Sequence, residues 1–407
     1  MKQLPLYALV FSSFLLNIAE PEAATEKVLY SFRNIQGQDG QNPHSGLIDV
    51  NGKLYGTTWF GGIGAGGAGA LYSFDPKTGA ESVLYTFLAG SDGNMPQGEL
   101  IDVSGTLYGT TIYGGGGPCA DGCGTVFAYN LAIGAEKIVH AFTDGADGHG
   151  PFAGLTRVKG VLYGTTYDGG GGSCQTKIGN GCGTVFSVDP KTGAEAVVHA
   201  FQSGTADGAN TEAGLVYVKG VLYGATYYGG AGTGCSGGCG TVFAIDPATG
   251  AETVLNSFSG GTNDGAHPVG GLINVKGTLY GTTEQGGTGD CSVEFYHGCG
   301  TVFALNPSTG AEKVLYAFTS DGNGSPGANL IDVNGILYGT TTSGDSCCGA
   351  VFSIDPKSGA ETLLYSRKGQ PDCEYPTSPL TNIRGKFYST SLQGGGPDAG
   401  AIFSIKP

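Results

Sequence analysis

The chain has 407 residues, of which 78 are glycine, against a usual share of about 7%; no G-X-Y period accompanies them, which excludes a collagen-like rod. Hydrophobic residues make up 40% and aromatic residues 10%, which excludes a disordered chain. Asp and Glu outnumber Lys and Arg 34 to 19, for a net charge of −15, and this excludes a nucleic-acid partner, which needs a basic footprint.

The first element is an N-terminal apolar run, Leu4 to Ala19, behind Lys2. It is short for a membrane span and predicts a secretory signal peptide over residues 1–24, cleaved near Ala24. The mature chain, 25–407, then carries no membrane span, and the protein is expected to be secreted or periplasmic. Its first strand is Glu26 to Phe32. Next comes a string of the form GLIDV (Gly46 to Val50), then LYGTT at Leu54, then a strand at Ala70 to Phe74, then a return strand at Glu81 to Phe87. The same four strings recur along the chain. LYGTT or a close variant starts again at Leu107, Leu162, Leu222, Leu279, Leu337 and Phe387.

Each string is short, rich in β-branched and aromatic residues, and bounded by turn chemistry. Asn51-Gly52 joins the first two strings as a hairpin signal, and Asp246-Pro247-Ala248-Thr249-Gly250 shows the polar turn between the last two. Each repeat therefore predicts four antiparallel strands, A to D. Seven such units predict an all-β fold, a seven-bladed β-propeller. The last repeat has A, B and C but no D of its own, so Glu26 to Phe32 is expected to close the ring beside Ala401 to Ile405. That pairing removes the open edge of an incomplete blade. A linear solenoid would need polar caps at both ends, and none is visible.

The extended motif DGxxPxxGLIxVxGxLYGTT followed by GTVFxxDPxTGAExVL resembles the Gloeobacter/Verrucomicrobia-type tandem repeat, and more distantly kelch repeats. The resemblance covers residues 26 to 407. It implies a secreted bacterial protein, often joined to a C-terminal surface anchor; no such tail is seen here, so release or periplasmic retention is expected. It transfers no catalytic residues.

Ten of the eleven cysteines form local pairs: Cys119/Cys123, Cys174/Cys182, Cys235/Cys239, Cys291/Cys299 and Cys347/Cys348. Each pair lies in a B-to-C loop, its second member directly before strand C. In an exported chain this reads as a disulfide framework; zinc would want four ligands, whereas successive pairs fall on different blades. Cys373 stands in a D-to-A loop and could pair with Cys347 or Cys348, because a vicinal bridge is strained.

The B-to-C and D-to-A loops share one face of the ring, the face expected to bind ligand. Two variable residues follow each LYGTT. In the first four blades they include Trp59, Phe60, Tyr113, Tyr167, Tyr227 and Tyr228, whose rings suit saccharides or protein hot spots; the alternative is packing of the loop bases. The D-to-A loops carry Asp39, Asp92, Asp147, Asp207, Asp264, Asp321 and Asp372, read as Asx turns in preference to calcium ligands. His267, Glu284, Asp290, Glu294 and His297 form the densest polar cluster. No nucleophile elbow, H-E-x-x-H or P-loop occurs, and neither a cofactor nor a metal is expected. The reading is a monomeric, non-catalytic binding propeller for extracellular glycan or protein; a polysaccharide-active hydrolase or lyase using the same face is the alternative.

Overall fold

The computed structural model describes residues 24–33, 39–62, 67–176, 179–291, 298–319, 324–343, 348–367, 373–396 and 398–407. The expected signal peptide therefore lies outside the described residues, except for Ala24. No helix among the described residues is long and apolar enough to cross a membrane.

Seven blades, each built on four antiparallel strands, form a β-propeller, and in three of them a further short strand joins the sheet. In blade 1, A is Ile48–Val50, B is Lys53–Gly61, C is Ala70–Asp75 and D is Ala80–Thr86. Blade 7 takes A from Thr381–Ile383, B from Lys386–Ser391 and C from Ala401–Lys406, while its D strand is Thr25–Ser31 from the other end of the chain. The closing pair is antiparallel, with Thr25 opposite Lys406 and Ser31 opposite Ala401, so the expected closure holds.

Every letter of LYGTT has a physical task. The leucine, such as Leu54, Leu107 or Leu162, is fully buried. The tyrosine packs between blades, with Tyr108 in one core cluster and Tyr163 against the next. The glycine faces the ring of the strand C aromatic: Gly109 pairs with Phe127, and a Cβ at Gly109 would lie 2.6 Å from the Phe127 ring. The first threonine ties its blade to the next, as Thr110 Oγ1 donating to the Ala153 carbonyl at 2.9 Å. The second ties B to C, as Thr111 and Thr125 sharing a hydrogen bond at 2.8 Å.

Between blades, an aromatic ring just after strand D meets the edge of the strand C ring of its neighbour. Phe87 on Phe127, Phe142 on Phe186 and Phe258 on Phe303 have centroids 5.0, 5.0 and 5.1 Å apart. One blade departs from this: Arg367 stands in the phenylalanine's place, with its guanidinium 4.0 Å from the centroid of Phe403.

Strands C and D are out of simple register in all seven blades, with a bulge at one equivalent position. In blade 2, Val126 faces His140 and Phe127 faces Ile138, which leaves Val139 as the extra residue. Val139 packs against the core between blades. The bulge lets two consecutive apolar residues, Ile138 and Val139, serve a strand that would otherwise alternate.

Candidate functional site

The disulfides are the scaffold of the loop face. Cys119–Cys123, Cys174–Cys182, Cys235–Cys239 and Cys291–Cys299 are bonded, with Cα atoms 5.0 to 5.3 Å apart. The carbonyl of the second cysteine accepts a hydrogen bond from the segment entering the next blade: Gly150 N to Cys123 O is 3.0 Å and Asn210 N to Cys182 O is 2.8 Å. Each bridge thus braces a junction between blades. Cys348 is buried at the equivalent position; Cys347 and the side chain of Cys373 lie outside the described residues, so their expected pairing does too.

The aspartates of the D-to-A loops hold the loops themselves. Asp92 Oδ2 accepts from Leu88 N at 2.9 Å and Tyr85 Oη at 2.9 Å, while Oδ1 accepts from Gly93 N at 2.7 Å. Asp39, Asp207 and Asp264 are used in the same way. Asp321 and Asp372 lie outside the described residues. Among the described residues, two groups of ligand-type side chains lie within 4.8 Å of one another: Cys119, Asp144 and His149, and His199, Asp207 and Glu252. In the first the sulfur is held in a disulfide. The second is the repeat's own hydrogen-bonding set, with histidine where other blades have Tyr30 or Tyr85.

After its aspartate, each D-to-A loop enters the next blade through a left-handed residue. Asn42, Met95, Gly150, Asn210, His267, Ser325 and Tyr375 all have φ between 52° and 65°. This kink aims the residue two positions further on at the ring axis. Those residues are His44, Gln97, Phe152, Glu212, Val269, Gly327 and Thr377, and all line one central cavity of about 550 Å³. The side chains of several left-handed residues also hold the neighbouring blade's strand B end. Asn42 Nδ2 donates to Leu392 O at 2.8 Å and Asn210 Nδ2 to Tyr167 O at 2.8 Å. His267 Nδ1 lies 2.9 Å from Tyr227 O, which puts the proton on Nδ1.

The six aromatic residues singled out from the sequence separate into two sets, because consecutive strand residues point to opposite faces. Trp59, Tyr167 and Tyr227 belong to the inner set. Trp59 lines the central cavity and stacks on His44, centroids 4.2 Å apart and planes 8° from parallel. Tyr167 meets Phe152 edge-on at 5.2 Å. Tyr227 stacks on His267 at 4.5 Å and donates its hydroxyl to Glu284 Oε2 at 3.2 Å. Phe60, Tyr113 and Tyr228 belong to the outer set. Phe60 is 40% exposed, while Tyr228 lines a second, larger cleft of about 1060 Å³ over blades 3 to 5. The two cavities share Phe152 and Glu212.

Of the polar cluster foreseen on the fifth repeat, His267 and Glu284 come together around Tyr227, and Glu294 and His297 lie outside the described residues. Glu99, Gln97 and Glu212, which sequence reasoning passed over, line the central cavity with Glu284. Burial pushes the Glu99 carboxyl up to about 7. Burial and then the Glu284 charge push Glu212 up to about 7. Glu284 is raised by burial, but the Tyr227 hydroxyl favours its charged form. His44 is lowered to about 4 by burial and is neutral. Among the described residues, neither cavity is lined by a lysine or an arginine.

Comparison with known proteins shows the fold and the family. An oligogalacturonate lyase solved with manganese aligns with a TM-score of 0.53 at 12% identity, over 95% of this chain and 96% of that one. The extracellular domain of a candidate one-component system from B. thetaiotaomicron aligns with a TM-score of 0.54 at 11% identity, over 91% of this chain and 39% of that one. A candidate 6-phosphogluconolactonase from Bacteroides fragilis gives 0.51 at 15% identity, over 84% and 88%. At these identities the likeness is one of fold alone. No curated protein matches the sequence significantly. The Gloeobacter/Verrucomicrobia repeat matches residues 16–236 and 231–407, and the chain belongs to that repeat family.

Proposed function

We propose that this is an exported, non-catalytic binding propeller that takes uncharged glycan on its loop face, at the mouth of the central channel. The observation that carries the reading is the lining of the two joined cavities. Aromatic rings (Trp59, Phe152, Tyr167, Tyr228) stand beside hydrogen-bonding groups, and no lysine or arginine joins them among the described residues. Flat rings and neutral donors suit sugar faces and hydroxyls. A cavity of several hundred Å³ suits a small ligand better than a flat protein epitope. The disulfides fit an oxidising compartment. The substrate in the lyase's name is an acidic sugar, and a polyuronate would meet Glu99, Glu212 and Glu284 here with no basic partner among the described lining residues.

A glycan array on the mature chain tests the reading, followed by titration of the hits. Trp59→Ala should weaken binding by about 1–2 kcal/mol, as for a moderate hot spot, with the melting temperature nearly unchanged. A fall in melting temperature without a separate loss of affinity would make Trp59 a packing residue and refute the site.

One observation favours hydrolysis as a second reading. Burial raises both Glu212 and Glu284, the Glu284 charge raises Glu212 further, and the Tyr227 hydroxyl favours the charged form of Glu284, an asymmetry of the kind that sets acid against base in a glycosidase pair. Turnover of a bound glycan that is abolished by Glu212→Gln and by Glu284→Gln would establish it. Binding without turnover leaves the first reading.

A further inference from the structure

The central channel has a floor. Asn329 Nδ2, from blade 6, donates to Glu99 Oε1, from blade 2, at 2.7 Å. The Asn329 Oδ1 accepts from the Gly271 amide of blade 5. These residues precede the leucine of the GLIDV string. The same position holds Gly46, Gly154, Gly214, Gly271 and Pro379 in the other blades. Their small size is what lets the two long side chains meet. A Cβ at Gly46 would lie 2.8 Å from Pro379 Cγ and 3.1 Å from Glu99 Cγ, and one at Gly154 would lie 2.7 Å from the Glu99 carbonyl. The blades thus converge on a packed constriction.

Above that floor, the walls hold polar atoms with no hydrogen-bond partner among the described residues. Trp59 Nε1, Gln97 Oε1 and Thr377 Oγ1 are all buried in this state, and all three residues line the central cavity. A buried donor or acceptor left unpaired is costly, so the pit is built to receive complementary groups. One donor, one acceptor and one hydroxyl converging beside a stacked indole match a sugar ring with its hydroxyls. The larger cleft over blades 3 to 5 joins this pit at Phe152 and Glu212. A chain lying in that cleft can send its end down into the pit, but the floor blocks its passage through the ring.

We propose that the pit binds the terminal residue of an uncharged oligosaccharide, with the following sugars lying along the cleft over blades 3 to 5, so that the protein recognises chain ends. This rests on the glycan reading above. Gln97 accepts a hydroxyl of the terminal sugar, the Trp59 indole donates to another, and Tyr167 and Tyr228 flank the sugars behind it.

The test is calorimetric titration of the mature protein with cello-, laminari-, malto- and xylo-oligosaccharides. Chains with the reducing ring blocked, chains with the non-reducing ring blocked, and cyclic malto-oligosaccharides complete the set. The expected result is a binding series in which affinity rises with length and then levels off, and in which one of the two end blocks costs about tenfold. Gln97→Ala should cost a similar factor at unchanged melting temperature. If both blocked forms, or a cyclic glucan, bind as well as the free linear chain, end recognition is overturned while the glycan reading stands. If no uncharged saccharide binds, both fall.

Discussion

Arg367 occupies a position that six other blades fill with phenylalanine (Phe32, Phe87, Phe142, Phe201, Phe258 and Phe318), and it is fully buried. Its guanidinium lies over the Phe403 ring of blade 7 and 3.1 Å from Glu26 Oε1 of the closing strand. A buried pair of this kind adds little to stability over a well-packed apolar pair, but removing one partner is costly. The ion pair therefore ties the closing strand Thr25–Ser31 to blade 6, using the glutamate that every D strand carries. Glu26→Ala should destabilise the ring by about 3–5 kcal/mol, measured by chemical denaturation. Glu26→Val combined with Arg367→Phe, which puts back the repeat's phenylalanine and leaves no unpaired buried charge, should recover most of the loss. Failure of the double variant to recover would show that the pair is a net source of stability. The break in the phenylalanine column is visible in the sequence. Its partner is not, because Glu26 takes the place of the ordinary glutamate that the other repeats carry in their GAE string, and only ring closure brings it to Arg367. The inner and outer sets of aromatic residues have the same character. Their position after LYGTT was legible, whereas which of each pair faces the axis depends on strand register.

At the scale of elements, the repeat's turns and strands were legible, and two devices were not. The bulge in strand D hides in runs such as Val139's neighbours Ile138 and His140, which read as plain alternation with one residue too many. The pairing of Gly40–Pro43 and Gly93–Pro96 with the extended ends of strand B hides in a DGxxP motif that reads as loop. The bulge also explains the glycine of the TGAE turn. Gly250 has φ 71°, and a Cβ there would collide with the carbonyl oxygen of Val198, the bulged residue of the preceding blade. Gly79 has φ 75°, yet nothing stands within 4 Å of its Cβ position. Both glycines bear the same backbone strain if replaced, about 1 kcal/mol. Gly250→Ala should therefore be clearly more destabilising than Gly79→Ala, by thermal denaturation. Equal losses would mean that the turn glycines serve the turn alone and not the packing of blade on blade.

At the scale of the whole molecule, the ring was legible because each blade repeats one set of strings, while the pit was not, because it is made by the positions at which the strings differ. Glu99 reads as noise within GLIDV until closure sets it against Asn329. The repetition also multiplies one electrostatic feature around the ring. Glu81, Glu136, Glu195, Glu252 and Glu312 hold equivalent places at the start of strand D, and each is pushed up to about 7, by burial first. The loop aspartate of the preceding blade adds to the shift, as Asp39 does for Glu81 and Asp264 for Glu312. Glu99 and Glu212 in the pit are raised to about 7 as well. A folded-state pKa above the unfolded value of 4.5 means that the folded ring binds these protons more tightly. The stability they contribute is complete below about pH 4.5 and is lost as the pH rises through 7. Buried histidines act in the opposite sense: His44, His140, His149 and His267 are lowered by burial, and favour the fold as the pH rises through their unfolded value of 6.5. The raised carboxyls outnumber them, and the net charge of −15 adds self-repulsion at higher pH. The melting temperature should therefore be higher near pH 5.5 than near pH 8, the reverse of a protein held by ionised carboxylates. Glu195→Gln with Glu252→Gln isolates the cause, since the amide keeps the shape and cannot ionise. The double variant should melt higher than the parent near pH 8 and close to it near pH 5, so the two curves converge on acidification. Parallel curves would show that the glutamates of strand D are ionised in the folded ring and that another group sets its response to pH.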